Sequence, residues 1–207
     1  MTITITSAAE SYKLATVTQL KAILGITTST DDTLMGILLD RASAQVVGYC
    51  NQGFAKETIT ETVKSEGRCN LKLSRKPIVS ITSVTYDGTL LDDDEYSLQE
   101  PELGFLFNSN GWNHTYGERL YSVVYVAGYV LPSFTAGTIN LPLDVTSACL
   151  DIAKTLYLNK DSDPTISKES VPDVYDAEYG GTSSSSGGTN AILQSVNALG
   201  RYKRFNI

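Results

Sequence analysis

The chain holds one histidine, His114, and three cysteines, Cys50, Cys69 and Cys149, among its 207 residues. One imidazole and no Cys-x-x-Cys pair cannot assemble the usual zinc sites, and an odd cysteine count at such spacing gives no disulfide framework. A reducing compartment is therefore expected. Any Ser-His-Asp or Cys-His arrangement would have to run through His114, which sits in the loop-like stretch NSNGWNHTYG and reads as an exposed loop histidine. No phosphate-loop or dinucleotide fingerprint is present. YGGTSSSSGG follows no strand and lacks the lysine such a loop needs. No apolar run approaches the roughly 18 residues of a membrane span, so no transmembrane helix is expected. The opening MTITITSAAE has neither a basic start nor an apolar core, so it is not expected to be a signal peptide, and synthesis in a cytoplasm follows. In that setting the sequon at Asn113 carries no meaning. Basic charge is also short: 16 lysines and arginines against 23 acids leave a net charge of −7. That argues against a free-standing nucleic-acid binder, though it allows a surface that DNA slides past without sticking. No metal or other cofactor is expected.

What is present is a change of period along the chain. In ATVTQLKAILGI, Thr16 and Gln19 have capping-box spacing, Val17, Leu20, Ile23 and Leu24 share a face, and Gly25 suits the left-handed position after the last turn. A second helix is expected over 31–50, with Asp31 and Asp32 near its positive end and an apolar stripe of Leu34, Ile37, Leu38, Ala42, Gln45, Val46 and Tyr49. Asn51 and Gly53 end it. From residue 57 to 128 the period becomes two, in short runs such as TITETV, NLKL, IVSITSVTYDG, EYSL, GFLF and YSVVYVA. Asp87-Gly88 predicts a two-residue hairpin turn. Pro77 must stand at a strand start or edge, because it has no N–H to donate.

The period returns to 3.6 in LPLDVTSACLDIAKTLYLNKD, a third helix over 142–159. Pro142 stands at its first position, and Val145, Ala148, Cys149, Ile152, Ala153 and Leu156 form its apolar face. This helix should pack beside the second. An extended segment and a Gly/Ser linker occupy 161–188. The remainder, 189–207, reads as an amphipathic helix with Ile192, Leu193, Val196 and Leu199 on one face. It closes on a basic-aromatic tail of Arg201, Tyr202, Lys203, Arg204 and Phe205. The expected fold class is α+β: a small bundle of about three core helices plus a C-terminal helix, with an inserted antiparallel β region. Residues 1–15 form an N-terminal arm and 16–160 the main domain.

Two features compete as sites. The acids Asp92 to Glu95, with Glu118, could hold a divalent cation or split into acid and base in a carboxylate-based hydrolase. They lack the ligand spacing and glycine of a calcium loop, and read first as a solvated turn. The C-terminal tail has three readings: an arm that docks on a partner protein through Tyr202 and Phe205, cations set against a helix dipole, or a nucleic-acid contact. Partner docking ranks first.

The order of the pieces resembles the head-tail connector proteins of tailed phages, also called head completion or adaptor proteins. Leu20 to Ile26, Asp31-Asp32 and Tyr49 to Phe54 are similar to that family's opening helices. LKLSRKPIVSITSVTYDG and VVYVAGYVLP with its proline-led helix are similar to the central run. KESVPDVYDAEYG resembles the segment before the last helix, with Pro172 where the pattern has glycine. The resemblance covers residues 12–180. It implies a virion structural protein without catalytic activity: a dodecameric ring of copies of this chain beneath the portal protein ring. The ring would extend the DNA channel and offer a docking surface to a downstream neck, stopper or tail-completion protein. Double-stranded DNA would pass without sequence-specific binding, and no membrane is involved. On that reading the portal-docking residues are Ile192, Leu193, Val196, Leu199, Arg201, Tyr202, Lys203, Arg204 and Phe205. Gly128, Pro132 and Pro142 form a hinge between β region and bundle. The alternatives are another phage neck or tail-completion protein, then the hydrolase.

Overall fold

Residues 52–141 and 1–12 gather into one unit and residues 13–51 and 142–207 into another. The computed structural model describes residues 2–113, 120–160, 168–171, 175–178 and 197–204. His114, Glu118, Ile192, Leu193, Val196 and Phe205 lie outside the described residues, as do most of 161–188.

The first unit is built from antiparallel strands: β1 (Thr2–Ser7), β2 (Glu57–Val63), β3 (Asn70–Lys72), β4 (Ile78–Tyr86), β5 (Thr89–Leu90), β6 (Ser97–Glu100), β7 (Phe105–Phe107) and β8 (Tyr121–Ala127). One sheet has the order β1-β2-β8-β4-β5 and a smaller one the order β3-β7-β6. The alternation read from the sequence is literal in the two central strands. Glu57, Ile59, Glu61 and Val63 of β2 and Tyr121, Val123, Tyr125 and Ala127 of β8 point inward, and their neighbours face out. Ile59 stands opposite Tyr125 and Val63 opposite Tyr121. Asp87 and Gly88 both take positive φ, 50° and 81°, and close the β4–β5 hairpin as their residue types predict. Pro77 falls just before β4, where no ladder bond is lost.

Two features of this unit depart from the sequence expectation or lie beyond it. The first residues were expected as an arm, whereas TITITS pairs along β2 from Thr2↔Thr62 to Ser7↔Thr58 and forms an edge strand exposed on both faces. Alternating β-branched residues suit such a strand. Trp112, inside the loop-like stretch, is 2% exposed. Its indole N–H donates to the Cys69 and Leu106 carbonyls at 2.9 and 3.2 Å, and Tyr121 meets it edge-on at 5.1 Å. Tryptophan in a polar, glycine-bearing stretch gives no periodic signal, so only tertiary packing reveals it.

The second unit contains α1 (Val17–Leu24), α2 (Asp32–Cys50) and α3 (Leu143–Leu158), with a hairpin of β9 (Lys168–Val171) and β10 (Tyr175–Glu178). The Thr16–Gln19 capping box is complete and Gly25 sits at φ 70°. Helix α2 ends on Asn51 in the left-handed region, φ 52°. Asp31, at the start of α2, accepts a hydrogen bond from the Tyr157 hydroxyl at 2.5 Å and pairs with Lys160 at 3.6 Å. These partners, Tyr157 first, hold its carboxyl below the ordinary aspartate range.

The buried stripe of α2 is Met35, Leu39, Ala42, Ser43, Val46 and Cys50, rotated from the expected one. Ile37 is left 60% exposed. Because α2 is apolar on much of its circumference, periodicity alone does not choose the face. The small Ala42 and Ser43 do, by letting α3 approach: Ser43 Oγ lies 3.4 Å from Cys149 Sγ and accepts from the Leu14 N–H at 3.0 Å. Helix α3 lies beside α2 as expected, and buries Val145, Ala148, Cys149, Ile152 and Ala153. Pro142 stands at the N-cap, one position before the first turn, with extended ψ of 133°. With strands in the first unit and helices in the second, the chain as a whole is α+β, as the sequence predicts.

Candidate functional site

Three places carry chemistry. The first is the described part of the C-terminal tail, within the helical unit. Asn197 and Ala198 are helical and Leu199–Tyr202 form a 3-10 turn. Leu199 is fully buried and borders an apolar groove of about 320 Å³ lined also by Val46, Tyr49, Ile152 and Leu156. Arg201 pairs with Asp144 in the first turn of α3, and the Tyr202 hydroxyl donates to the same carboxylate at 3.2 Å. Lys203 stands 5.1 Å from the centre of the Tyr49 ring. The Arg204 N–H donates to the Cys50 carbonyl at 2.8 Å, and Asn51 Nδ2 donates to the Arg204 carbonyl at 3.3 Å. The bond from Arg204 to Cys50 takes up one of the last carbonyls of α2. The structure thus brings together Leu199, Arg201, Tyr202, Lys203 and Arg204 from the sequence-derived set, against α2 and α3 of their own chain.

Gly128 and Pro132 belong to the β unit and Pro142 opens the helical one. Gly128 has φ 108°, and a Cβ there would lie 2.2 Å from the Ala55 carbonyl oxygen. Its N–H donates to the Pro77 carbonyl at 2.9 Å, while the Tyr129 N–H donates to the Phe54 carbonyl at 2.7 Å and the Tyr129 carbonyl accepts from the Lys56 N–H at 2.9 Å. Glycine is required because two backbone segments cross in contact. Where the strand leaves its sheet, no other residue fits.

The second place is a buried polar chain in the β unit that sequence reading missed. Glu61 is fully buried, and its Oε2 accepts from the Tyr125 hydroxyl at 2.5 Å and from the Ser74 N–H at 2.9 Å. The Arg75 N–H donates to the same tyrosine oxygen at 3.2 Å. Glu57, two pleats away on the same face, accepts from the Tyr12 hydroxyl at 2.7 Å and pairs with Arg75 at 3.6 Å. Burial first, then the charge of Glu61, pushes the Tyr125 hydroxyl far above the ordinary phenol range, so it acts as a donor. The signal was in ETITETV, where both glutamates share the face of Ile59 and Val63. Charged residues on an apolar face announce partners. In the helical unit, burial pushes the thiols of Cys50 and Cys149 up to about 11.

The third place is a division of charge around the β3-β7-β6 sheet. From Lys64 to Lys76 the chain carries five basic residues and the single acid Glu66, and from Asp87 to Glu102 seven acids and no base. Lys64, Arg68 and Lys72 border a groove of about 520 Å³ along β3. The loop Asp92–Glu95 leads into β6 at the other edge, all four acids exposed. Tyr96 donates to Asp93 at 2.8 Å, and the Glu95 N–H to the Asp92 carbonyl at 3.1 Å, closing the turn. Among the described residues no group of three or more His, Cys, Asp or Glu side chains converges as a metal site, and no helix is long and apolar enough to cross a membrane.

These features can be set beside known proteins. No curated protein matches the chain. Among solved structures, a chain from the neck of an empty gene transfer agent particle computed with C6 symmetry superposes with a TM-score of 0.62 at 13% identity. The match covers 100% of this chain and 97% of that one. A chain from the neck of the native particle computed with C12 symmetry gives 0.59, and one from the native virion 0.58. Both are at 14% identity with the same coverage. At such identity the likeness establishes a shared fold along the whole length. The model of one family, head completion protein, matches residues 13–169, a span running from the start of the helical unit through the inserted strands to the β9–β10 hairpin. This chain belongs to the head completion protein family.

Proposed function

We propose that this protein is a structural subunit of the neck at the head-tail junction of a phage-like particle. Copies of it would close into a ring on the portal, extend the DNA channel and present a docking surface to the next neck or tail component. The single observation that carries this reading is the family match over both units of the chain. The full-length likeness to neck chains of particles computed with C6 and C12 symmetry supports a ring, most simply of twelve copies. The role is architectural rather than catalytic. The exposed acids at Asp92–Glu95 form a closed turn, and the buried carboxylates Glu57 and Glu61 are engaged with tyrosine, arginine and backbone donors. A net charge of −7 repeated around a ring suits a channel that DNA passes without sticking.

The C-terminal tail is the proposed portal arm. Leu199, Tyr202 and Arg204 anchor it to the helical unit. The test is co-sedimentation of the purified chain with its cognate portal ring, viewed by electron microscopy. A second ring stacked on the portal, lost when residues 189–207 are deleted, is the expected result. A folded portal that never acquires this chain would overturn the reading.

A further inference from the structure

The ring reading leaves open what joins one copy to the next. A ring contact is head-to-tail, so each subunit must carry two different and complementary patches. Resting on that reading, we infer that the basic groove of one copy, Lys64, Arg68 and Lys72, receives the acidic loop Asp92–Glu95 of its neighbour.

Lys72 belongs to β3 and the acidic loop leads into β6, the two edge strands of one small sheet, with Lys64 and Arg68 in the connection that enters β3. Lys72 of β3 pairs with Phe105 of β7, and Phe105 pairs with Glu100 of β6. Two strand spacings separate the edges, roughly 10 Å, which is about one Debye length at physiological salt. Within one chain the patches therefore do little to neutralise each other. The basic edge is a concavity of about 520 Å³ that Ser65, Glu66, Cys69 and Asn70 also line. The acidic loop is an exposed turn closed by the Glu95 N–H on the Asp92 carbonyl at 3.1 Å, which limits the ordering it needs when it docks. Arg68 pairs with Glu66 at 3.4 Å, but both are more than three-quarters exposed, and such a pair yields readily to a better one. A loop of four consecutive acids is the complement in charge, and every copy carries it. Charge pairing of this kind fixes partner and register more than raw affinity, as a ring that must close needs.

The experiment mixes ordinary and nitrogen-15-labelled full-length chains, assembles them on the cognate portal, and treats the rings with a carbodiimide, which joins lysine to carboxylate only in contact. Heavy-light peptides linking Lys64 or Lys72 to Asp92–Glu95 are expected. The charge reversal Lys64→Glu with Arg68→Glu and Lys72→Glu should lower ring occupancy about tenfold, as should Asp92→Lys with Asp94→Lys and Glu95→Lys. The two sets combined should restore it. All six positions are exposed, and circular dichroism checks that each variant folds. Rings that form without these cross-links, or that ignore both reversals, would overturn the inference and leave the neck reading standing. A short DNA duplex that binds the wild-type chain and shields Lys64 and Lys72 from modification would overturn it in favour of phosphate. If wild-type chains form no ring on the portal, both readings fall together.

Discussion

Removing one oxygen atom tests the buried polar chain of the β unit. In Tyr125→Phe the ring keeps its place on β8 opposite Ile59, and only the hydroxyl is lost. That hydroxyl donates to a fully buried carboxylate at 2.5 Å and accepts the Arg75 N–H at 3.2 Å. Glu61 Oε1 has no hydrogen-bond partner among the described residues, so the two bonds at Oε2 carry its solvation. Losing the stronger of them should cost about 1.5–3 kcal/mol, the range for a hydrogen bond to a charged group left buried. Tyr96→Phe is the control. Its hydroxyl also donates to a carboxylate, at 2.8 Å, but Asp93 is exposed and water replaces the bond, so the cost should stay within about 0.5 kcal/mol. Urea titration followed by tryptophan fluorescence reads both, because Trp112 lies in the same core. The midpoint should fall for Tyr125→Phe at unchanged slope. Equal stability of the two variants would refute the claim that Glu61 depends on this donor.

The remaining predictions concern other contacts. Burial raises the hydroxyl pKa of Tyr121 and Tyr125, and pushes Tyr96 up to about 12. Above about pH 10 the unfolded chain releases protons that the folded one retains, so stability should decline as pH rises past 10, less steeply in Tyr125→Phe; a flat profile from pH 9 to 12 would contradict this. Gly128→Ala should destabilise by at least about 2 kcal/mol, since strain at positive φ adds to a clash with the Ala55 carbonyl. Gly88→Ala, also at positive φ but with nothing near, should cost only about 1 kcal/mol. Thermal melts compare the pair. Thr16→Ala removes the capping box of α1 and should cost about 1 kcal/mol by chemical denaturation. Leu199→Ala should cost about 2–4 kcal/mol if the tail is as firmly seated as its burial indicates, whereas a surface-bound tail would barely register it.

What could be read from the sequence was whatever rests on neighbours in the chain. The capping box at Thr16, the Asp87-Gly88 turn, the alternation in β2 and β8 and the start of α3 near Pro142 all depend on spacings of a few residues. Choices made by distant residues were not legible. The face of α2 was set by small residues meeting α3, and the burial of Trp112 by Tyr121 and two carbonyls. Thr2–Ser7 became a strand because β2 offered it an edge. The candidate site divides the same way. The tail residues were singled out for their composition, yet their seats on Asp144, Tyr49 and Cys50 come from residues far back in the chain. The opposed charge patches are visible in composition, but only the pairing of β3, β7 and β6 shows that they occupy two edges of one sheet.

The insertion of the β unit between α2 and α3 has a consequence for synthesis on the ribosome. Ser43 waits for Cys149 to emerge, and the helical pair cannot close until more than a hundred further residues have been made. At about 5–20 residues per second that is an interval of roughly 5–20 seconds. The strands need less delay, since β8 completes the larger sheet at Ala127, before α3 exists. The nascent chain therefore finishes its sheets first, while α2 displays Met35, Leu39 and Val46 to the cellular medium. That interval is when a chaperone would find this chain, and the stretch Leu34–Tyr49 is where it would bind.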